Sequence, residues 1–123
     1  MGSGIAAVCA SRGIRCLLMD KSLDRARSGQ DRAAAAVSKQ LARGVIEPPD
    51  ADRILASIRP AEIAADLSVC DLVIEAVFED RELKASVTRE VEAVLGADAI
   101  LASNTSALPI SELARAASRP QQF

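Results

Sequence analysis

Short apolar runs alternate with amphipathic segments along the chain, and this alternation restricts the fold more than any other feature. The apolar runs are too short for helices and predict buried strands at 14–20, 72–77 and 99–102. Apolar residues three or four positions apart, together with flanking glycines and prolines, predict helices at 4–11, 22–43, 51–57, 83–95 and 110–117. Strands that alternate with helices are typical of parallel βαβ units, so we expect a doubly wound α/β sheet.

Composition excludes several classes of function. The 123 residues suffice for one domain, but they contain no His, Trp or Tyr and only two Phe. Few aromatic residues, a net charge of −2 and a pI near 5.2 argue against nucleic-acid binding. Without histidine the chain has no imidazole base and no histidine metal ligand, so we expect no metal site.

The cysteines and the N-terminal sequence indicate the cellular compartment in which the protein is expected. Cys9, Cys16 and Cys70 make an odd count without CxxC spacing, which favours a reduced cytoplasmic interior over a disulfide scaffold. The N-terminus shows no signal-peptide pattern. No stretch reaches the roughly 18 apolar residues of a membrane span. We therefore expect a cytoplasmic protein that does not enter membranes.

Polar residues at strand ends are the candidates for ligand binding, because doubly wound sheets bind ligands beyond the carboxyl ends of their strands. Three such features are Asp20 and the segments 75–84 and 103–106. A fourth, the MGSG segment at 1–4, begins the first helix, where free N–H groups and the helix dipole attract phosphate. MGSG by itself could also be an expression scar.

Asp20 follows Gly2 at close to the spacing of about 20 residues at which an acidic side chain meets the adenosine ribose in dinucleotide-binding folds. Its carboxylate would accept hydrogen bonds from both ribose hydroxyls and repel a 2′-phosphate, which favours NAD over NADP. The alternative is a strand-end aspartate that caps the next helix, a role for which Ser22 is an equally good candidate.

Four sequence blocks together resemble the NAD-binding domain of the 3-hydroxyacyl-CoA dehydrogenases: MGSGIA, LLMD, CDLVIEAVFEDRELK and LASNTSALPISELA. The resemblance spans residues 1–123 and implies a Rossmann-type parallel sheet with NAD as the cofactor. It implies an oxidoreductase of fatty-acid β-oxidation that converts L-3-hydroxyacyl-CoA to 3-oxoacyl-CoA. Because the other three blocks are also present, the resemblance implies that MGSGIA is family sequence and not a tag.

The resemblance also implies roles for individual residues. Ser106 matches the catalytic serine that lies between nicotinamide and substrate, contacts the cofactor and hydrogen-bonds the reacting oxygen. Met1 and Gly2 match the end of the GxGxMG phosphate loop, and Asp20 matches the ribose contact. The other positions that match NAD contacts of the family are Val77, Phe78, Glu79 and Lys84.

Structural roles stay open for some of these residues. Lys84 could be an exposed helix lysine paired with Asp80, and Ser106 could be a turn residue. Glu75 lies within an apolar strand and invites a general-base role, but the resemblance assigns the contact to Glu79. We therefore expect Glu75 to be structural and hydrogen-bonded near the strand end.

The resemblance further implies a longer parent enzyme, which would be a homodimer acting on acyl-CoA. In the family, a first strand with two glycines precedes the part that matches here. A catalytic histidine, its glutamate partner and a helical substrate and dimerisation domain follow it. We therefore expect a truncated domain that does not turn over substrate alone. The strands at 14–20 and 72–77 would flank the missing strand and keep unpaired edges. The alternative is a non-catalytic nucleotide-binding or interaction module.

Overall fold

The computed structural model describes residues 1–123, which divide into two compact units, Met1–Glu62 and Ile63–Phe123. Each unit contains one two-stranded parallel sheet. None of the helices combines the length and the apolar character that spanning a membrane requires.

The first unit packs three helices with the sheet of β1 and β2. Its elements are α1 (Gly2–Ser11), β1 (Cys16–Met19), α2 (Leu23–Ala42), α3 (Pro48–Ala56) and β2 (Ile58–Ala61). Cys16 lies opposite Ile58 in the parallel register. Gly13 and Gly44 adopt φ of 83° and 67° just after α1 and α2, a left-handed conformation that ends helices and that glycine adopts without strain. Both helices therefore end where the glycines predict.

Small side chains form much of the core of this unit. Ala10 of α1 and Ala33 of α2 are buried, as are Val37, Ile54 and Ile58. Alanines at the helix contacts let the backbones approach closely, and the larger aliphatic residues fill the space toward the sheet.

The second unit places two βα connections at one end of a parallel strand pair. Its regular elements are β3 (Leu72–Glu75), α4 (Arg81–Glu92), β4 (Ile100–Ser103) and α5 (Ile110–Leu113). Short 3₁₀ helices cover Ala64–Val69, Ala114–Ala116 and Pro120–Gln122. Glu75 lies opposite Ser103 in the register, so both strands end at the same edge.

The expected α/β class with parallel strands is confirmed, and several boundaries differ. β2 was not predicted, because Arg59 and Pro60 interrupt its apolar pattern and proline, which cannot donate to a ladder, is confined to edge strands. β3 ends at Glu75 rather than at position 77. The last helix stops at Leu113 and continues as a 3₁₀ turn.

Candidate functional site

A buried ion pair joins β3 to α4 in the second unit. The Nζ of Lys84 lies 2.8 Å from Oε1 and 3.0 Å from Oε2 of Glu75. The two side chains are only 1% and 2% exposed. A buried charge is tolerated when it is paired and hydrogen-bonded, so each of these residues requires the other.

The Glu75 carboxylate also ties together the ends of both strands. Its Oε1 accepts a hydrogen bond from the Val77 N–H (2.7 Å), and its Oε2 accepts one from the Ser103 hydroxyl (2.6 Å). The expectation that Glu75 is structural and hydrogen-bonded near the strand end is confirmed.

The alternative that Lys84 is an exposed helix lysine paired with Asp80 is wrong. Lys84 is buried, and its ammonium faces Glu75 at the strand end rather than solvent. Asp80 instead caps α4, because its side chain accepts a hydrogen bond from the Leu83 N–H (2.7 Å).

Glu79 lies above this pair and binds the loop after β4. Its Oε1 accepts hydrogen bonds from the N–H groups of Ser106 (3.3 Å) and Ala107 (3.2 Å) and from the hydroxyl of Thr105. Its Oε2 lies 3.6 Å from the Lys84 Nζ. The Thr105 hydroxyl does most to hold the pKa of Glu79 below its usual range, helped by the two N–H groups and the charge of Lys84 against partial desolvation. Glu79 is therefore an anion that accepts hydrogen bonds from all three of these donors.

Ser106 and the segment 77–79 offer groups to a ligand at this edge. Ser106 is exposed, and its backbone is held by Glu79. Phe78 is 77% exposed, and Val77 is half-buried with its N–H bound by Glu75. A hydroxyl on a backbone fixed in this way can donate to an oxygen of a ligand.

The start of α1 in the first unit has the features of an anion site. Met1 is exposed and precedes the helix, which begins at Gly2 without a side-chain cap and without an acidic residue in its first turn. A Cβ at Gly4 would meet nothing within 4 Å. N–H groups at a helix N-terminus and this open space suit a phosphate group.

Asp20 directly follows β1, with its carboxylate exposed at the strand end. Its Oδ1 accepts a hydrogen bond from the Lys21 N–H (2.7 Å) and lies 3.9 Å from the Arg25 Nε. The alternative that Asp20 caps α2 is wrong, because Ser22 is the cap and accepts from the Arg25 N–H. The side chain is 42% exposed, so a ligand can reach its oxygens.

Sequence reasoning missed the cluster that Lys84 forms with Glu75 and Ser103, and it gave Thr105 no role. A carboxylate inside the apolar run LVIEAV was the available signal, because a buried charge requires a partner. The partner lies nine positions later on α4. Only the geometry of the turn between them brings the two together.

Comparison with known proteins places these features in a family. Residues 1–123 match the model of a family described as "3-hydroxyacyl-CoA dehydrogenase, NAD binding domain". The match extends over the whole chain and thus includes both units.

Solved structures give the same result. The chain is 32% identical to (S)-3-hydroxybutyryl-CoA dehydrogenase PaaH1 from Ralstonia eutropha, with a TM-score of 0.96 over 100% of this chain and 44% of that one. It is 35% identical to FadB2 of M. tuberculosis, with a TM-score of 0.95 over 99% of this chain and 43% of that one. For 3-hydroxybutyryl-CoA dehydrogenase from Escherichia coli K12 the identity is 31% and the TM-score 0.93, over 99% of this chain and 26% of that one. The chain therefore spans less than half the length of each.

Proposed function

Because the chain belongs to the 3-hydroxyacyl-CoA dehydrogenase family, we propose that it is the NAD-binding part of an enzyme that oxidises L-3-hydroxyacyl-CoA to 3-oxoacyl-CoA. The expectations of this family and of NAD as its cofactor are confirmed. The match over residues 1–123 is the observation that carries the proposal. The substrate class is taken from two relatives that are named 3-hydroxybutyryl-CoA dehydrogenases.

In the first unit we propose that Met1 and Gly2 receive phosphate and that Asp20 binds the adenosine ribose. The uncapped start of α1 and the open space beside Gly4 support the phosphate role. Asp20 lies at the end of β1 with an exposed carboxylate, and both features support its ribose role. A carboxylate there would repel a 2′-phosphate, so NAD is favoured over NADP.

In the second unit we propose that Val77, Phe78, Glu79 and Ser106 contact the cofactor. Exposure of Phe78 and Ser106 beside the strand ends supports this assignment. Lys84 also matches a family contact, and its side chain is buried at the end of β3 against Glu75.

We propose that Ser106 is the catalytic residue of this part of the enzyme. NAD, when bound, accepts the hydride that leaves C3 of the hydroxyacyl group. The Ser106 hydroxyl would donate a hydrogen bond to the reacting oxygen and stabilise the charge that develops there. Glu79 supports this role by fixing the Ser106 backbone.

The chain assayed alone is expected not to turn over substrate. Its 123 residues contain no histidine, and Glu79 is a weak base because its pKa is lowered. Loss of a general base typically reduces a rate by about 10²–10⁴-fold. The test is acetoacetyl-CoA-dependent oxidation of NADH, and a rate near that of an intact family enzyme would contradict this expectation.

We further propose that the whole enzyme is a cytoplasmic homodimer. The odd cysteine count without CxxC spacing supports a reducing compartment. Sedimentation of the full-length enzyme measures its oligomeric state, and a monomer would contradict the proposed homodimer.

The cofactor sites are tested by adding NAD to the ¹⁵N-labelled chain and following its amide resonances. The proposal predicts shifts at Gly2, Asp20, Glu79 and Ser106. Matched residues remote from the strand ends, such as Lys39 and Asp52 on exposed helix surfaces, should not shift. If NAD shifted none of these four resonances, the assignment would be contradicted.

A further inference from the structure

A guanidinium lies beside the Asp20 carboxylate at the carboxyl end of β1. The Arg25 Nε is 3.9 Å from the Asp20 Oδ1, and the Arg25 side chain is 63% exposed. Arg25 belongs to the first turn of α2, where its N–H donates to the Ser22 hydroxyl oxygen at 3.4 Å. The helix start therefore holds the backbone of Arg25, while its side chain lies next to the carboxylate that is proposed to bind ribose.

The separation of 3.9 Å leaves the N–H donors of Arg25 available to a ligand. At this distance the two charges attract each other but do not form a hydrogen bond. The Asp20 Oδ1 instead accepts a hydrogen bond from the Lys21 N–H at 2.7 Å. The planar fork of an arginine matches phosphate oxygens, and an arginine near the ribose accommodates the 2′-phosphate in folds that bind NADP.

Arg27 provides a comparison within the same helix. Its Nη1 lies 3.8 Å from the Asp24 Oδ1, and its side chain is 60% exposed. Arg25 and Arg27 are thus alike in charge, exposure and distance to a carboxylate, but Arg25 is paired with the strand-end residue Asp20. Substitution of the two therefore separates an effect of position from a general effect of positive charge.

We propose that Arg25 determines cofactor specificity, because its guanidinium binds the 2′-phosphate of NADP and partly offsets the repulsion from Asp20. The inference rests on the proposed ribose role of Asp20. It gives Asp20 two effects on specificity: its charge repels the phosphate, and it attracts the guanidinium that would bind the phosphate. Replacement of Asp20 therefore frees Arg25 for the phosphate in addition to removing the repulsion.

The test compares the Kd values of NAD and NADP, measured by calorimetry. Arg25→Met and Arg27→Met are made in the unsubstituted chain and in an Asp20→Asn background, which removes the negative charge with little change in shape. In the unsubstituted chain, Arg25→Met should weaken NADP binding roughly two- to fivefold, the range of an exposed ion pair, and should affect NAD less. Arg27→Met, the matched control, should leave the ratio of the two Kd values unchanged.

In the Asp20→Asn background, Arg25→Met should weaken NADP binding about tenfold, because the freed guanidinium makes charge-assisted hydrogen bonds to the phosphate. Equal losses for NAD and NADP, or an Arg27→Met loss as large as that of Arg25→Met, would overturn the inference and leave the proposed function standing. Undetectable NADP binding throughout this background would also overturn it. A folded, unsubstituted chain that bound no NAD would instead overturn the proposed cofactor role, and the inference with it.

Discussion

Lys84 and Glu75 form an ion pair with 2.8 Å between Nζ and Oε1, although both side chains are almost entirely buried. The carboxylate is fully engaged, because it also binds Val77 and Ser103. Removal of one partner therefore leaves an uncompensated charge in the interior, whereas removal of both charges does not.

Lys84→Met is expected to lower the free energy of unfolding by about 3–5 kcal/mol, the typical effect of breaking a buried pair. Urea denaturation followed by circular dichroism measures the change, with Lys39→Met as the exposed control. The double variant Glu75→Gln, Lys84→Met should regain much of the loss. A single variant within about 1 kcal/mol of the unsubstituted chain would contradict the importance of the pair.

Asp80→Ala removes the N-cap of α4. The Asp80 carboxylate accepts a hydrogen bond from the Leu83 N–H at 2.7 Å. Loss of an aspartate cap costs about 0.5–2 kcal/mol of stability. Asp52→Ala, an exposed change within α3, serves as the control and should have little effect. Equal stabilities of the two variants would show that the cap does not stabilise the unit.

Glu92→Gln tests how the last segment is anchored to α4. The Glu92 carboxylate is 10% exposed and accepts from the N–H groups of Ser118 (2.6 Å) and Arg119 (2.7 Å). Burial alone would raise its pKa, but these hydrogen bonds and the charge of Arg119 hold it below the usual carboxyl range. We expect Glu92→Gln to lose about 1–3 kcal/mol at neutral pH, measured by urea denaturation.

The same carboxylate makes this loss depend on pH. A group whose pKa is lower in the folded chain stabilises it above the pKa of the unfolded chain, and the contribution disappears as pH falls through the folded pKa. The difference between the unsubstituted chain and Glu92→Gln should therefore vanish at acid pH. Glu90→Gln, an exposed neighbour on α4, is the matched control, and a similar pH profile for both variants would contradict this account.

The pattern of apolar residues predicted most elements, because helices and buried strands differ in period and length. Gly13 and Gly44 also marked helix ends correctly, since positive φ favours glycine. The strand that contains Pro60 was not predictable from periodicity, because Arg59 and Pro60 interrupt its apolar residues.

The candidate site was predictable only in part. Asp20 and Ser106 follow strands that are visible in the sequence, and the structure exposes both at strand ends. The contacts of Glu79 with Thr105 and of Glu75 with Lys84 join separate loops and elements. Such pairings depend on strand register and turn geometry, which residue types and spacing do not determine.

Asp20→Ala is expected to weaken NAD binding and to reduce the preference for NAD over NADP. The carboxylate is proposed to bind ribose hydroxyls and to repel a 2′-phosphate, so its removal affects the two cofactors differently. Asp24→Ala, an exposed aspartate at the start of α2, is the matched control. An unchanged ratio of the two Kd values would contradict the assignment of Asp20.

Calorimetric titration of the folded chain with NAD, repeated with NADP, tests the central claim most directly. Saturable binding of NAD and weaker binding of NADP are the expected results. A chain that is folded by circular dichroism and releases or absorbs no heat of binding with NAD at several temperatures would contradict the claim.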